Sequence, residues 1–169
     1  IASPMRVRSV VILSKVPPEE IRSLALDTSS RTSVVLGQLL LRERYGVSPV
    51  ITDMSPDLDA MLRDHDAALL IGDQAMRSRR EGLLVLDLAE EWNEWTGLPF
   101  VFALWTVRPD APEIGAPGGV APFFHKSLEI GLAKLPDIVE EARRTIGWTR
   151  LELNEYLTQN IHDETEPVW

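Results

Sequence analysis

The residues best equipped for chemistry are consecutive: Thr28-Ser29-Ser30-Arg31-Thr32-Ser33, five hydroxyls and one guanidinium. They follow a short apolar run, Leu24-Ala25-Leu26, that ends in Asp27. They precede a helix-like apolar segment, Val34-Val35-Leu36-Gly37-Gln38-Leu39-Leu40-Leu41. Unpaired N–H groups at a helix start, the positive end of its dipole, hydroxyl donors and one cation can converge on a carboxylate or phosphate. The competing reading is a simple helix cap supplied by Thr28, Ser29 or Ser30. A cap needs one hydroxyl and this stretch has five, so composition leaves both readings standing.

A second corner of the same type lies at Gly72-Asp73-Gln74, directly after the continuous apolar run Ala67-Ala68-Leu69-Leu70-Ile71. Such a run marks a strand covered on both faces. Asp73 is a candidate polar contact at that strand end, and Asp27 a candidate partner of a hydroxyl or of Arg31. His65, His125 and His162 lack metal-ligand spacing, and no metal or cofactor is expected. His65 reads as a cation favoured at a helix C-terminal end. The Gly-x-Ser-x-Gly elbow, the P-loop and the dinucleotide fingerprint are all missing. Glu90, Glu91 and Glu94 read as the solvated face of an amphipathic helix. These residues alone support a carboxylate-binding cleft and identify no reaction and no catalytic base.

The elements that must hold these corners alternate. Strands are expected at Ser9–Ser14, Leu24–Leu26, Val50–Thr52, Ala67–Ile71 and Leu83–Asp87, with helices after Asp27, from a Ser55-Pro56 start, and over Leu88–Trp95. Phe100-Val101-Phe102-Ala103-Leu104-Trp105 is the most strand-like run, and its aromatics, with Trp92 and Trp95, read as core. Arg108 to Pro122 is a Pro- and Gly-rich connector, and the remainder is helical. Strands alternating with helices imply an α/β fold with a mainly parallel sheet, whose ligands sit beyond the C-terminal strand ends. With 169 residues, 44% hydrophobic and 25% charged, the chain is an ordinary globular one. A net charge of −9 argues against nucleic acid as a partner. The absence of cysteine does not settle the compartment; no apolar run is long enough for a membrane and the N-terminus carries no charged-then-apolar signal pattern, and a cytoplasmic location is expected.

Four blocks in order carry a family resemblance: Leu26-Asp27-Thr28-Ser29-Ser30-Arg31-Thr32-Ser33-Val34, Leu41-Arg42-Glu43-Arg44-Tyr45-Gly46, Ala67-Ala68-Leu69-Leu70-Ile71-Gly72-Asp73, and Thr96-Gly97-Leu98-Pro99-Phe100-Val101-Phe102-Ala103. Together they resemble chorismate dehydratase, the first enzyme of the futalosine route to menaquinone, best over residues 8–108. The resemblance implies a periplasmic binding protein type II-like fold, two α/β lobes joined by crossover strands with the ligand between them. On this chain it implies one complete lobe over 9–103, carrying the Asp-Thr-Ser-Ser-Arg-Thr-Ser corner, while 1–8 and 104–169 belong to the other lobe. The N-terminal part of that other lobe, including a Tyr-Leu-Asn-Thr-like motif of the family, is expected to lie outside this sequence. The implied activity is that of a lyase converting chorismate to 3-[(1-carboxyvinyl)oxy]benzoate. Ser29, Ser30, Arg31, Thr32, Ser33, Gly72 and Asp73 are the implied substrate-binding residues, and no membrane or nucleic-acid partner is implied. Rival readings are a solute-binding protein for a small carboxylate, the sister dihydroxynaphthoate synthase, and the effector-sensing half of a transcription regulator.

Overall fold

The computed structural model describes residues 1–27, 29–106, 108, 110 and 120–162. The chain divides into two compact units, one of Ser3–Phe100 and one of Ile1–Ala2 with Val101–Trp169.

The first unit is an α/β layer structure around a five-stranded sheet. In chain order its elements are β2 (Val10–Ser14), β3 (Ser23–Asp27), α1 (Arg31–Glu43), β4 (Val50–Met54), α2 (Leu58–Asp64), β5 (Ala67–Ile71), α3 (Gly72–Arg77), β6 (Leu84–Asp87) and α4 (Leu88–Thr96). The two strands β1 (Ala2–Ser3) and β7 (Phe100–Val101) pair with each other, and both passages of chain between the units run through them.

The sheet order is β4-β3-β5-β2-β6, and it is mixed rather than mainly parallel. Strand β3 is parallel to β4 and β5, whereas β2 is antiparallel to both neighbours, β5 and β6. The cause is local. Helices α1, α2 and α3 each carry the chain back to the end where the preceding strand began. Between β2 and β3 there is only a 3-10 turn, Pro18–Glu20, so β3 starts where β2 finished and runs the opposite way.

Alternation along β2 feeds both faces. Val11 and Leu13 join Ala25, Met61, Ala68, Leu70 and Ala75 in a buried cluster, with Leu58 and Leu62 of α2 against it. Ile12 and Leu69 point to the opposite face, where a Cβ added to Gly37 of α1 would stand 2.7 Å from Leu69 Cδ1 and 3.8 Å from Leu88 of α4. Helix α1 thus lies on the sheet at a distance only glycine permits.

Three expectations needed correction. The cap of α2 is Asp57, whose Oδ1 accepts the Ala60 amide at 3.1 Å, and not Ser55; Pro56 therefore precedes the helix. The strand-like run at Phe100 ends at Val101, because its neighbour β1 has only two residues; Leu104 and Trp105 are 77% and 75% exposed. Trp92 is half-buried, edge-on to Trp95 and Phe100, while Trp95 is exposed.

In the second unit, α5 (Ala121–Ala133), α6 (Leu135–Ile146) and α7 (Arg150–Glu155) lead into one π-helical turn, Tyr156–Asn160. Val139 and Leu153 are its buried apolar contacts, and Ala2 bridges to His162. The expected connector at 108–122 falls almost wholly outside the described residues.

Candidate functional site

Strand direction decides where the polar corners meet. Strands β3, β4, β5 and β6 all end on one edge, and α1, α2, α3 and α4 all start from it. The register aligns Asp27 with Met54 of β4 and sets it one residue beyond the Leu26–Leu69 pair. Across β5, Val11 pairs with both Leu70 and Asp87. Asp27 and Asp87 therefore stand at nearly one level along the same edge, and both are buried.

At the first corner, Asp27 is 2% exposed and its Oδ1 accepts the Ser29 amide at 2.9 Å, which turns the chain out of β3. Ser30 caps α1: its Oγ accepts the Ser33 amide at 3.2 Å, and its hydroxyl donates to Ser33 Oγ at 2.9 Å. That leaves the amides of Arg31 and Thr32, the first two helical residues, without an acceptor among the described residues. Arg31 and Thr32 are exposed, Ser29 is exposed and Ser33 is buried. Arg31 has no ion pair with Asp27 or any other described residue. The cap reading holds for Ser30, and among the described residues the cap leaves the first two helical amides unused. Thr28 lies outside the described residues.

At the second corner, the Gly72 amide donates to the Ser9 carbonyl at 2.7 Å, and Gly72 adopts φ +57°. Asp73 is exposed and forms an ion pair with Arg77 at 3.1 Å, one turn along α3. Its carboxylate is thus partly neutralised at the edge. Along the same edge, β3 and β5 are adjacent, so the Ser29–Ser33 and Gly72–Asp73 corners are neighbours.

Among the described residues no group of three or more His, Asp and Glu is placed to hold a metal ion, and no helix is long and apolar enough to cross a membrane. The edge offers amides, hydroxyls and guanidinium groups, which suit stabilising negative charge rather than nucleophilic attack.

The family model for menaquinone biosynthesis matches residues 1–167. The chain belongs to the menaquinone-biosynthesis family. It is similar to the chorismate dehydratase of Thermus thermophilus, 31% identical over 179 aligned residues that cover 96% of this chain and 64% of that protein. The chain therefore spans somewhat less than two thirds of that relative's length.

In this menaquinone-biosynthesis family member, sequence reasoning missed the most heavily bonded carboxylate on the edge. Asp87 caps α4, accepting the Ala89 amide at 3.1 Å and the Glu90 amide at 3.4 Å. It also accepts the Val7 amide at 3.0 and 3.1 Å on its two oxygens, and the Arg8 amide. An Asp before an apolar helix start signals the cap. Nothing local signals the other two amides, which come from the far end of the unit. Of the α4 glutamates, Glu94 is exposed as a solvated face requires and pairs with Arg44 at 2.6 Å, whereas Glu91 is largely buried, takes the Tyr45 hydroxyl and pairs with Arg44 at 2.9 Å. Burial, followed by the hydrogen bond to Glu91, pushes the Tyr45 phenol well above its ordinary range.

Proposed function

We propose that this protein is a cytoplasmic chorismate dehydratase, a lyase that converts chorismate to 3-[(1-carboxyvinyl)oxy]benzoate and water in menaquinone biosynthesis. The observation that carries this reading is the start of α1. There, the exposed Arg31 and the amides of Arg31 and Thr32, which have no acceptor among the described residues, stand at the edge where parallel strands end, in a chain whose family model is menaquinone biosynthesis. The likeness to a chorismate dehydratase supports a dicarboxylate as substrate.

The reaction removes the ring proton beside the enol ether together with the neighbouring ring hydroxyl. The ring becomes aromatic, and one water leaves. As the C–H bond breaks, its electron pair spreads through the ring diene towards the ring carboxylate. Ser29, Ser30, Arg31, Thr32 and Ser33, with Gly72 and Asp73 across the neighbouring strand end, are the proposed binding residues. Their part is to hold the carboxylates in one geometry and to stabilise the delocalised charge, an electrostatic role that needs no covalent intermediate. The proton acceptor is a group outside this set or the substrate's own side-chain carboxylate. We further propose the two-lobe arrangement of the periplasmic binding protein type, with 9–103 as one lobe and the substrate held between lobes.

The test is incubation of the full-length protein with chorismate, followed by chromatography and mass spectrometry. A product lighter by one water with a benzoate absorbance is the expected result. Intact chorismate alongside tight binding of another small carboxylate would replace the enzyme reading with that of a solute-binding protein.

A further inference from the structure

Arg8 is the one described residue other than glycine with a left-handed backbone, at φ 63°. A glycine would adopt that conformation without strain, whereas any side chain there is disfavoured. The surrounding structure nonetheless commits two side chains to the Arg8 backbone. Asp87 accepts its amide, and half-buried Arg80 donates to its carbonyl at 2.7 Å while also reaching the Ala75 carbonyl at 3.2 Å. A turn that served only to redirect the chain would need none of this with glycine in place. Strain held in this way around a side chain points to a use for that side chain.

The position of Arg8 suggests the use. The next residue, Ser9, accepts the Gly72 amide, and Val10 pairs with Ile71, so Arg8 stands beside the end of β5 on the ligand-facing edge. On the other flank of β5 is β3, which ends at the Asp27–Ser33 corner. With strands about 4.8 Å apart, Arg8 and that corner are separated by roughly 10 Å across the edge. Between them along the edge lies Gly72, where an added Cβ would meet nothing within 4 Å. Asp73, the nearest carboxylate on β5's side, is engaged by Arg77. The Arg8 side chain is half-exposed.

We infer that Arg8 is a second carboxylate anchor of the substrate site, positioned by Asp87 and Arg80, so that one carboxylate of a dicarboxylate lies at the start of α1 and the other at Arg8. The inference rests on the carboxylate-site reading above and adds the residue that makes the site select two carboxylates over one. Asp87 and Arg80 are positioning residues, because they act through the Arg8 backbone.

The test uses Arg8→Gly and Arg8→Asn in the full-length protein, since Gly and Asn both tolerate left-handed backbone. Each removes the guanidinium while allowing the left-handed turn that Asp87 and Arg80 hold, and circular dichroism should show a folded protein. The KM for chorismate should increase roughly tenfold to a hundredfold, as expected for a lost charge-assisted pair, with kcat changing far less. Arg8→Lys, which keeps the charge and loses the fork, should fall between. Calorimetry with isophthalate and benzoate separates this inference from the assignment of the reaction. Wild type should prefer the dicarboxylate, and Arg8→Gly should bind the two acids alike. If wild type leaves chorismate intact but shows that preference and loses it in Arg8→Gly, the dehydratase reading falls and the anchor stands. An unchanged preference in the variant, or no binding of either acid by wild type, overturns the anchor.

Discussion

Ser30 and Ser33 show how one hydroxyl-rich turn serves two ends. Ser30 spends its oxygen on the Ser33 amide and its proton on Ser33 Oγ, so its replacement by alanine should cost stability, about 1 kcal/mol as for other caps. Arg31 has no such structural duty, being exposed and outside any ion pair among the described residues. Arg31→Ala should therefore leave the melting temperature nearly unchanged and raise the KM for chorismate roughly tenfold or more. Steady-state kinetics indistinguishable from wild type would remove Arg31 from the site. At the opposite edge of the sheet, Asp66 illustrates a purely structural carboxylate. The Arg22 amide holds its carboxyl below the usual range, against a smaller opposing effect of burial and with help from the Ser23 hydroxyl and amide. A depressed carboxyl contributes stability above its unfolded pKa of about 3.9, and the contribution is lost as pH falls through the folded value. Asp66→Asn should accordingly lower the melting temperature near neutral pH, and the difference from wild type should close below about pH 4.

Helix α1 is the element on which the proposed site depends, and it is fixed at both ends and along its inner face. Its C-terminal end is tied to α4 through Arg44 and Tyr45 on Glu91 and Glu94. Its inner face meets the sheet at Gly37, against fully buried Leu69 and Ile12. Gly37→Val has no room there and should destabilise the protein by about 1–3 kcal/mol through overpacking. Lifting α1 from the sheet also displaces its first turn, so KM for chorismate should rise with little change in kcat for the fraction that stays folded. A variant as stable as wild type would mean that the helix shifts without cost. Most of this element was legible in the sequence, where the hydroxyl cluster and the apolar segment after it mark a helix. The tie to α4 was not, because Glu90-Glu91-x-x-Glu94 on an amphipathic pattern looks like any solvated face until Arg44 and Tyr45 are brought against it.

At the scale of the molecule, the alternation of apolar strands and capped helices was enough to read an α/β unit with its corners on one edge. Strand direction was less accessible: β2 has the same apolar, β-branched character as its neighbours, and its reversed course follows from a missing crossover helix rather than from any residue in it. The Arg8–Asp87–Arg80 arrangement was invisible for a related reason. Arginine carries no mark of a left-handed backbone, and the carboxylate that holds it is contributed by the opposite end of the unit. That placement of β2 has a consequence for how the chain acquires its structure. The β3–α1–β4 crossover joins strands close in sequence, whereas Val11 is flanked by Leu70 and Asp87, both far along the chain. Long-range pairings of this kind carry a loop-closure cost and slow folding. The turn at Arg8 is held by Asp87 at the end of β6, so that edge is complete only when β6 has joined β2 in the sheet.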